Sequence, residues 1–447
     1  MKPFLFSFLC LLMIEDVSAQ IQEKTDSVCT LVKQYFNARQ ADSLYALTGE
    51  IFRNQLPYET FKQITDNNLF PLGKMETEFV AINNGVSQYK AIFGNAMLDF
   101  YLSLDDKEKI YTFLFKPHAQ AQAKKAVAAA TNNPLATPLD KIVDSVAQNY
   151  LSNSVTTGLS IGVLKDGRML FYGYGETAKG NQEIPGAHTL FEIGSISKTF
   201  TAILLALAVN EGKIKLDDPI NKYLPDSIPT LSYDGTMITV KMLSAHTSGL
   251  PRMPSNFSEA STDSLNPYKN YTEKELFSFL LSYKLSRKPG TMYEYSNLAA
   301  ATLGVILERI YNKPYSELVP EKICAPLHIY STMQFIKKKD SARVAKGYNE
   351  SGAYNGPWDF KAFAAAGSLR SDAADMLLYA KANLGEAPPP LKTAIELTHA
   401  PVFKDSSVTT ALGWHYIKPT PAGKSILFHN GGTGGYRSYL GIDIDKK

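Results

Sequence analysis

The spacing of apolar residues in the first part of the chain changes once. Residues 26–40 carry apolar side chains at helical intervals, and a second helical stretch covers residues 52–64. Four alternating apolar and polar segments follow, at residues 78–82, 89–93, 97–104 and 110–115. Helices followed by an antiparallel meander predict a small α+β domain over residues 20–117. Its expected core is Val28, Leu31, Phe36, Phe79, Phe93, Phe100 and Phe113.

The pattern is interrupted at residues 118–137, which are rich in Ala, Gln, Lys, Asn and Pro and predict a linker. Beyond it come an amphipathic helix at 139–151 and two strands, 159–165 and 168–173, turned at Asp166-Gly167. Helical and loop segments fill residues 199–384, and strands are expected at 425–429 and 436–444. Residues 138–447 therefore predict a second α+β domain: an antiparallel sheet flanked by helices, with a separate helical lobe.

The N-terminus has the pattern of a secretory signal over residues 1–19. Lys2 precedes an apolar segment at residues 4–14, and Val17-Ser18-Ala19 supplies small residues for cleavage. The apolar segment is too short to cross a bilayer. We expect an exported, periplasmic or secreted bacterial protein with no membrane span after the signal is removed.

Composition limits the classes of function. With 447 residues, 45% hydrophobic and 20% charged, the chain has the composition of an ordinary globular protein. A net charge of +3 is too small to indicate binding to nucleic acid or membrane surfaces. The seven histidines and three cysteines show no metal-ligand spacing, so no metal and no cofactor is expected. Cys29 and Cys324 are predicted to be buried free thiols.

The first chemical candidate is Ser195-Ile196-Ser197-Lys198, between a strand-like segment at 189–193 and a helical segment at 200–209. A serine hydroxyl is a weak nucleophile and needs a base, and a lysine one helical turn later can supply it. The same spacing occurs at Ser87-Gln88-Tyr89-Lys90 inside a strand pattern. The serine-lysine spacing alone is therefore weak evidence.

Two further motifs follow in order. Tyr295-Ser296-Asn297 lies 100 residues after Ser195, and His429-Asn430-Gly431-Gly432 begins 134 residues after Tyr295. The glycines at 431–435 do not indicate a phosphate loop, because no Gly-Lys-Ser/Thr follows and a strand comes next. The ordered set of three motifs indicates an acyl-transferring serine enzyme.

With these motifs, residues 138–447 resemble the serine β-lactamase and penicillin-binding-protein superfamily. Within it they are similar to the branch of class C β-lactamases, D-alanyl-D-alanine carboxypeptidases and esterases. Flanking segments typical of this branch are Phe191-Glu192-Ile193-Gly194, Leu216-Asp217-Asp218-Pro219-Ile220, His246-Thr247-Ser248-Gly249-Leu250-Pro251 and Leu412-Gly413-Trp414.

The resemblance implies a β-lactamase-like fold and a role for each motif residue. Ser195 would form an acyl-enzyme, with Lys198 accepting or relaying its proton. Tyr295 would be the general base, if the neighbouring lysine lowers its pKa. Asn297 would bind the amide side of the substrate, and the backbone N–H groups of Ser195 and Gly432 would form the oxyanion hole.

The third motif departs from the Lys-Thr-Gly of many β-lactamases, because His429, Asn430 and Gly431 stand there. A neutral histidine attracts a substrate carboxylate less than lysine does. Hydrolysis of a D-amino-acid peptide or ester is therefore favoured over true class C-like β-lactamase activity. A non-catalytic penicillin-binding or sensing module is the remaining alternative. Arg437 is a candidate for the lost charge, although a solvated strand residue is the favoured interpretation. His246 is expected to shape a turn.

The resemblance also bears on the C-terminus. Family members continue past the turn at residues 445–447 with an apolar strand and a closing helix. We expect this chain to lack them, with a gap between the strands at 159–165 and 436–444.

Overall fold

The computed structural model describes residues 4–83, 85–94, 96–117, 128–152, 154–405, 408–417 and 426–447. Of residues 4–20, only the backbone is described. Residues 1–3 of the predicted signal and 118–127 of the predicted linker lie outside the described residues. The chain divides into two compact units, residues 1–125 and 126–447. Within the described ranges, no helix has the length and apolar character required to cross a bilayer.

The described α-helices are α1 Phe4–Asn37, α2 Ala41–Ala46, α3 Glu50–Gln55, α4 Tyr58–Ile64, α5 Pro138–Ser152, α6 Ser197–Asn210, α7 Val240–Ser244, α8 Phe257–Ala260, α9 Glu273–Ser282, α10 Asn297–Tyr311, α11 Tyr315–Val319, α12 Ala364–Gly367, α13 Ala373–Lys381 and α14 Leu391–His399. The described strands are β1 Glu76–Asn83, β2 Val86–Ile92, β3 Met97–Leu104, β4 Ile110–Pro117, β5 Gly158–Lys165, β6 Arg168–Gly175, β7 Phe191–Glu192, β8 Ser232–Tyr233, β9 Thr236–Met237, β10 Arg370–Ser371, β11 Phe403–Lys404, β12 Thr409–Thr410, β13 His415–Ile417, β14 Ile426–Gly432 and β15 Arg437–Asp443.

The first unit consists of α1 to α4 and the antiparallel meander β1-β2-β3-β4. The predicted helix at 52–64 is in fact two helices, α3 and α4. They separate at Leu56 and Pro57, because proline donates no backbone N–H and disfavours helical backbone in the residue before it.

The core of the first unit differs from the prediction at two positions. Phe36, Phe93 and Phe100 are buried as expected. Leu31 is 37% exposed because α1 buries the face carrying Cys29, Val32 and Phe36 instead. Phe79 is 38% exposed. It lies on β1, which is an edge strand with an irregular register just after this residue.

The second unit contains the β5–β6 hairpin and the five-stranded sheet β11-β12-β13-β14-β15. Both have antiparallel ladders, and α13 packs directly on β5. In the described part of the chain, no ladder joins β15 to β5 or β6. The predicted mixture of helices with antiparallel sheet is confirmed.

Three helices form the centre of the second unit. On α6, every residue from Ser197 to Ala208 is buried. The residues of α10 from Leu298 to Leu307 are likewise buried. Gly304 of α10 permits a close approach of α12, since a Cβ at this position would overlap the Ala365 side chain. This packing fixes the backbone at the start of α6 and along α12.

Residues 128–137, the second half of the predicted linker, contact β6. The Thr131 hydroxyl donates to the Gly173 carbonyl at 2.8 Å, and the Asn133 amide donates to the Tyr174 hydroxyl at 2.6 Å. Cys29 and Cys324 are buried free cysteines, as predicted.

Candidate active site

The candidate nucleophile Ser195 lies in a short 3-10 turn, Gly194–Ile196, between β7 and α6. Ile193 and Ile196 are buried on either side, whereas Ser195 remains partly exposed. Apolar anchoring of its neighbours thus directs the serine outwards. Lys198 follows within the first turn of α6, three residues later, and is 3% exposed.

Three oxygen atoms surround the Lys198 Nζ atom. Its Nζ lies 3.0 Å from Ser195 Oγ, 2.9 Å from Asn297 Oδ1 and 2.6 Å from the Ala366 carbonyl oxygen. No carboxylate pairs with Lys198 in the described residues. Burial holds the pKa of Lys198 well below its usual value, and the positive charge of Arg252 lowers it further. Burial thus favours the neutral amine over the ammonium form.

A neutral amine has two N–H bonds and one lone pair. The Asn297 and Ala366 carbonyl oxygens only accept hydrogen bonds, so both N–H bonds are directed at them. In the ammonium form Nζ donates to Ser195 Oγ, whereas in the neutral form the lone pair is left for the Ser195 hydroxyl, which then donates. This arrangement suits an amine that removes the serine proton.

Tyr295 lies just before α10 and faces the same point. Its ring centroid is 4.9 Å from Lys198 Nζ and 4.4 Å from the His246 ring centroid. Burial raises the pKa of Tyr295, whereas its hydrogen bond with Ser195 and the charge of Arg252 act to lower it. Burial therefore acts against easy loss of the Tyr295 proton and favours the neutral Lys198 amine, and the role of Tyr295 as general base stays a prediction.

The first turn of α10 orients Asn297. Ser296 caps the helix, since its hydroxyl accepts from the Ala299 N–H at 2.9 Å and donates to the Pro251 carbonyl at 2.7 Å. Because Asn297 Oδ1 accepts from Lys198, its amide NH2 is the part left for a substrate carbonyl. That NH2 group lies 3.8 Å from the Met253 sulfur.

The edge of β14 lies against the nucleophile turn. A Cβ on Gly194 would be 2.7 Å from the Gly432 nitrogen, and a Cβ on Gly431 would overlap the Ile193 carbonyl oxygen. The Thr433 N–H donates to the Tyr436 carbonyl at 3.1 Å. Antiparallel ladders alternate, so the next pair, Gly432 with Arg437, is not hydrogen-bonded, and the Gly432 N–H points away from β15. The Gly432 N–H is thus free to donate, together with the Ser195 N–H, to a substrate oxyanion.

This contact predicts the effect of Gly431→Ala. The added methyl group meets backbone, which cannot rotate away, so β14 must move from Ser195. We expect acylation to slow about 100-fold, as for misplacement by roughly 1 Å, with about 1–3 kcal/mol lost in stability. Acylation kinetics and thermal unfolding measure both effects. Gly356→Ala is the control, since its Cβ would have no neighbour nearer than 3.7 Å. A wild-type acylation rate in Gly431→Ala would contradict this geometry.

The structure separates the two polar residues of the third motif. His429 is 1% exposed, with Nδ1 2.6 Å from the Asn430 carbonyl oxygen. That carbonyl fixes the proton on Nδ1, so Nε2 carries a lone pair, and this buried atom has no partner among the described residues. The Asn430 side chain is exposed and lies on the opposite face of β14.

Two more histidines surround Tyr295. The His415 ring lies 5.2 Å from the His429 ring, and its Nε2 lies 2.9 Å from the Tyr293 hydroxyl. His246 Nδ1 accepts from the Ser296 N–H at 3.1 Å, in agreement with a turn-shaping role. Burial lowers the pKa of all three histidines, to about 4 for His415. The histidines therefore add no positive charge at neutral pH.

Arg437 does not supply a free charge at the site. Its guanidinium donates to the Thr433 carbonyl at 2.7 Å and pairs with Glu350 at 3.3 Å. The favoured interpretation of an ordinary strand residue fits these contacts.

The second serine-lysine spacing lies in the other unit and forms no such site. Ser87 is buried on β2, where its hydroxyl is 2.7 Å from Thr25 Oγ1. Lys90 pairs with Glu78 at 3.1 Å. Residues three apart on a strand point to opposite faces, so these two side chains diverge.

Sequence reasoning missed three contributors to the site: Arg252, His415 and the Ala366 carbonyl. Arg252 directly follows the His246–Pro251 segment, and His415 directly follows Leu412-Gly413-Trp414, so proximity to those motifs was an available signal. A backbone carbonyl has no sequence signal. In the described residues, no group of three His, Cys, Asp or Glu side chains is placed to hold a metal ion.

Known proteins match the second unit. A family model described as Beta-lactamase matches residues 143–447. The D-alanyl-D-alanine-carboxypeptidase/endopeptidase AmpH of Escherichia coli strain K12 is 27% identical over 314 residues, which are 67% of this chain and 80% of that protein.

Solved structures agree with the sequence matches. A beta-lactamase/D-alanine carboxypeptidase from Pseudomonas syringae has a TM-score of 0.61 at 26% identity, covering 69% of this chain and 92% of that one. A class C beta lactamase from Rhodobacter sphaeroides has a TM-score of 0.59 at 26% identity, covering 68% and 90% respectively. The predicted fold and superfamily are confirmed.

Proposed function

The chain belongs to the Beta-lactamase family of serine hydrolases, and we propose that it is an exported enzyme that hydrolyses a D-amino-acid peptide or ester through an acyl-enzyme. The observation that carries this proposal is the position of Lys198. Its buried Nζ lies within hydrogen-bond distance of the Asn297 and Ala366 carbonyl oxygens and of Ser195 Oγ. In the neutral form that burial favours, the lone pair is left for Ser195. A binding module would have no need for this activated pair.

The reaction can be written with these residues. Ser195 Oγ attacks the substrate carbonyl and gives its proton to Lys198 Nζ. The N–H groups of Ser195 and Gly432 stabilise the oxyanion. The protonated Tyr295, hydrogen-bonded to Ser195, passes a proton to the leaving group and is reprotonated from Lys198. Water then cleaves the acyl-serine ester and regenerates the enzyme.

The state of His429 supports a peptide or ester over a lactam. The histidine is buried and neutral, and its free Nε2 is a hydrogen-bond acceptor. A neutral imidazole does not attract a substrate carboxylate as a lysine ammonium would. The relatives include a protein named as a carboxypeptidase/endopeptidase and one named as a class C beta lactamase. True β-lactamase activity is therefore the second candidate.

Export is proposed from the N-terminal pattern of Lys2, an apolar segment at 4–14 and Val17-Ser18-Ala19. Small-molecule or peptide substrates derived from the cell wall would be available to such an enzyme outside the cytoplasm.

Adduct mapping tests the mechanism. The protein is treated with a fluorophosphonate and, separately, with a fluorescent penicillin, and the labelled peptide is identified by mass spectrometry. We expect both labels on Ser195, with the penicillin adduct decaying if lactams are hydrolysed and persisting if they are only bound. A label on another serine, or the absence of both labels, would disprove the assignment.

His429→Lys tests the specificity argument. The introduced ammonium should raise kcat/KM for a carboxylate-bearing lactam relative to a neutral aryl ester by about tenfold, because it restores a cation beside the β14 edge. His429→Gln, which adds no charge, is the control. An unchanged ratio in His429→Lys would refute the role of the missing cation and leave the nucleophile assignment intact.

A further inference from the structure

Arg252 is an exposed cation at the edge of the candidate active site. Its guanidinium carbon lies 5.1 Å from the centroid of the Tyr295 ring, whose hydroxyl is hydrogen-bonded to Ser195. In the described residues, no carboxylate lies within ion-pair distance of Arg252. Its charge thus lies beside the reacting atoms without a counterion from the part of the chain that the structure describes.

The backbone holds Arg252 in place. Its carbonyl oxygen accepts from the Asn297 N–H at 3.0 Å and from the Leu298 N–H at 3.3 Å, which are the first residues of α10. Met253, the next residue, contacts the Asn297 amide. The position of Arg252 is therefore tied to that of Asn297, the residue assigned to the acyl side of the substrate.

The other basic groups near the nucleophile differ from Arg252. Lys198 and His429 are buried, and burial lowers the pKa of both. Arg437 pairs with Glu350 and lies across the site on β15. The charge of Arg252 acts to lower the pKa of Tyr295 and of Tyr268, and Tyr268 also interacts with the Asn297 side chain. A substrate anion on the acyl side would meet this charge directly.

We propose that Arg252 determines specificity by binding a carboxylate on the acyl portion of the substrate. The guanidinium lies over the Tyr295 ring, and its N–H groups make no hydrogen bond to another described residue, so they can donate to carboxylate oxygens. This inference rests on the proposed function, because it takes Ser195 as the acylated residue and Asn297 as the acyl-side contact. It assigns the acyl group a negative charge, which the motifs do not specify.

Two esters that share a leaving group test the proposal: the p-nitrophenyl esters of adipic acid and of its monoamide. We expect wild type to favour the carboxylate ester in kcat/KM by about two- to fivefold, as for one exposed ion pair. Arg252→Gln should remove the preference, and Arg252→Lys should retain part of it. Arg437→Gln should leave the ratio unchanged. Added salt should reduce the preference in wild type.

The outcomes separate the two proposals. A wild-type preference that survives in Arg252→Gln, or turnover of both esters at equal rates in wild type, overturns the role of Arg252 alone. If neither ester is turned over, the proposed function fails. The affinities of the two esters for Ser195→Ala, measured by calorimetry, then test the role of Arg252 separately. Equal affinities for the two esters would overturn its role, and tighter binding of the carboxylate ester that is lost in the Ser195→Ala/Arg252→Gln double variant would support it.

Discussion

Ser195→Ala should abolish hydrolysis of an activated ester and acylation by penicillin. The variant lacks the only atom that the mechanism uses to form the acyl bond, so kcat should fall by about 10⁴–10⁶. The small side chain leaves the packing of Ile193 and Ile196 intact, so the unfolding temperature should be unchanged. Stopped-flow acylation and steady-state hydrolysis measure the first effect, and calorimetry the second.

Ser87→Ala is the matched control, because it carries the same substitution in the other serine-lysine spacing. It removes the hydroxyl that contacts Thr25 in the first unit, and it should leave acylation unchanged. Full ester turnover in Ser195→Ala would refute the mechanism, whatever the control shows.

Lys198→Ala should slow acylation by about 10³–10⁴, because it removes the base from Ser195. The pH profile gives a second test. The Lys198 pKa is lowered by burial and by Arg252, so the amine is active when neutral and its activity is lost as the pH falls through that lowered pKa. This acidic limb of kcat/KM should be present in wild type and absent in Lys198→Ala.

The partner variant Tyr295→Phe should also slow acylation strongly. Since both groups act in one proton transfer, the double variant Lys198→Ala/Tyr295→Phe should be little slower than Lys198→Ala alone. Simple multiplication of the two effects would show that the residues act independently. If the acidic limb of kcat/KM persists in Lys198→Ala, a group other than Lys198 is responsible for it.

Motif order along the chain predicted the residues that the fold brings together. Ser195 directly precedes α6, Lys198 lies in its first turn, and Tyr295 and Asn297 lie at the start of α10. Both helices were readable as long apolar segments. The alternating pattern of β2 was likewise readable, because its residues alternate between half-buried and buried positions, whereas β5 and β6 show no such alternation.

The choice of base and the exposure of individual apolar residues depend on how deeply each side chain is buried, and the sequence alone does not specify this. The choice between Lys198 and Tyr295 as base turned on how deeply each lies and on the charge of Arg252. Leu31 and Phe79 are apolar residues left exposed by the rotation of α1 and by the edge position of β1. Pro57 lies between α3 and α4, although the helical spacing across it predicted a single helix over residues 52–64.

One of the three groups that hold the Lys198 amine is the Ala366 carbonyl, and this has a consequence for mutational scanning. Exchanging the side chain of residue 366 leaves that oxygen in place, so a scan of polar positions would not detect it. Ala366 lies on α12, whose close approach to α10 depends on the missing side chain of Gly304. A bulkier residue at position 304 would displace α12 and with it the Ala366 carbonyl that contacts Lys198. The enzyme would then lose reactivity although every motif residue is still present.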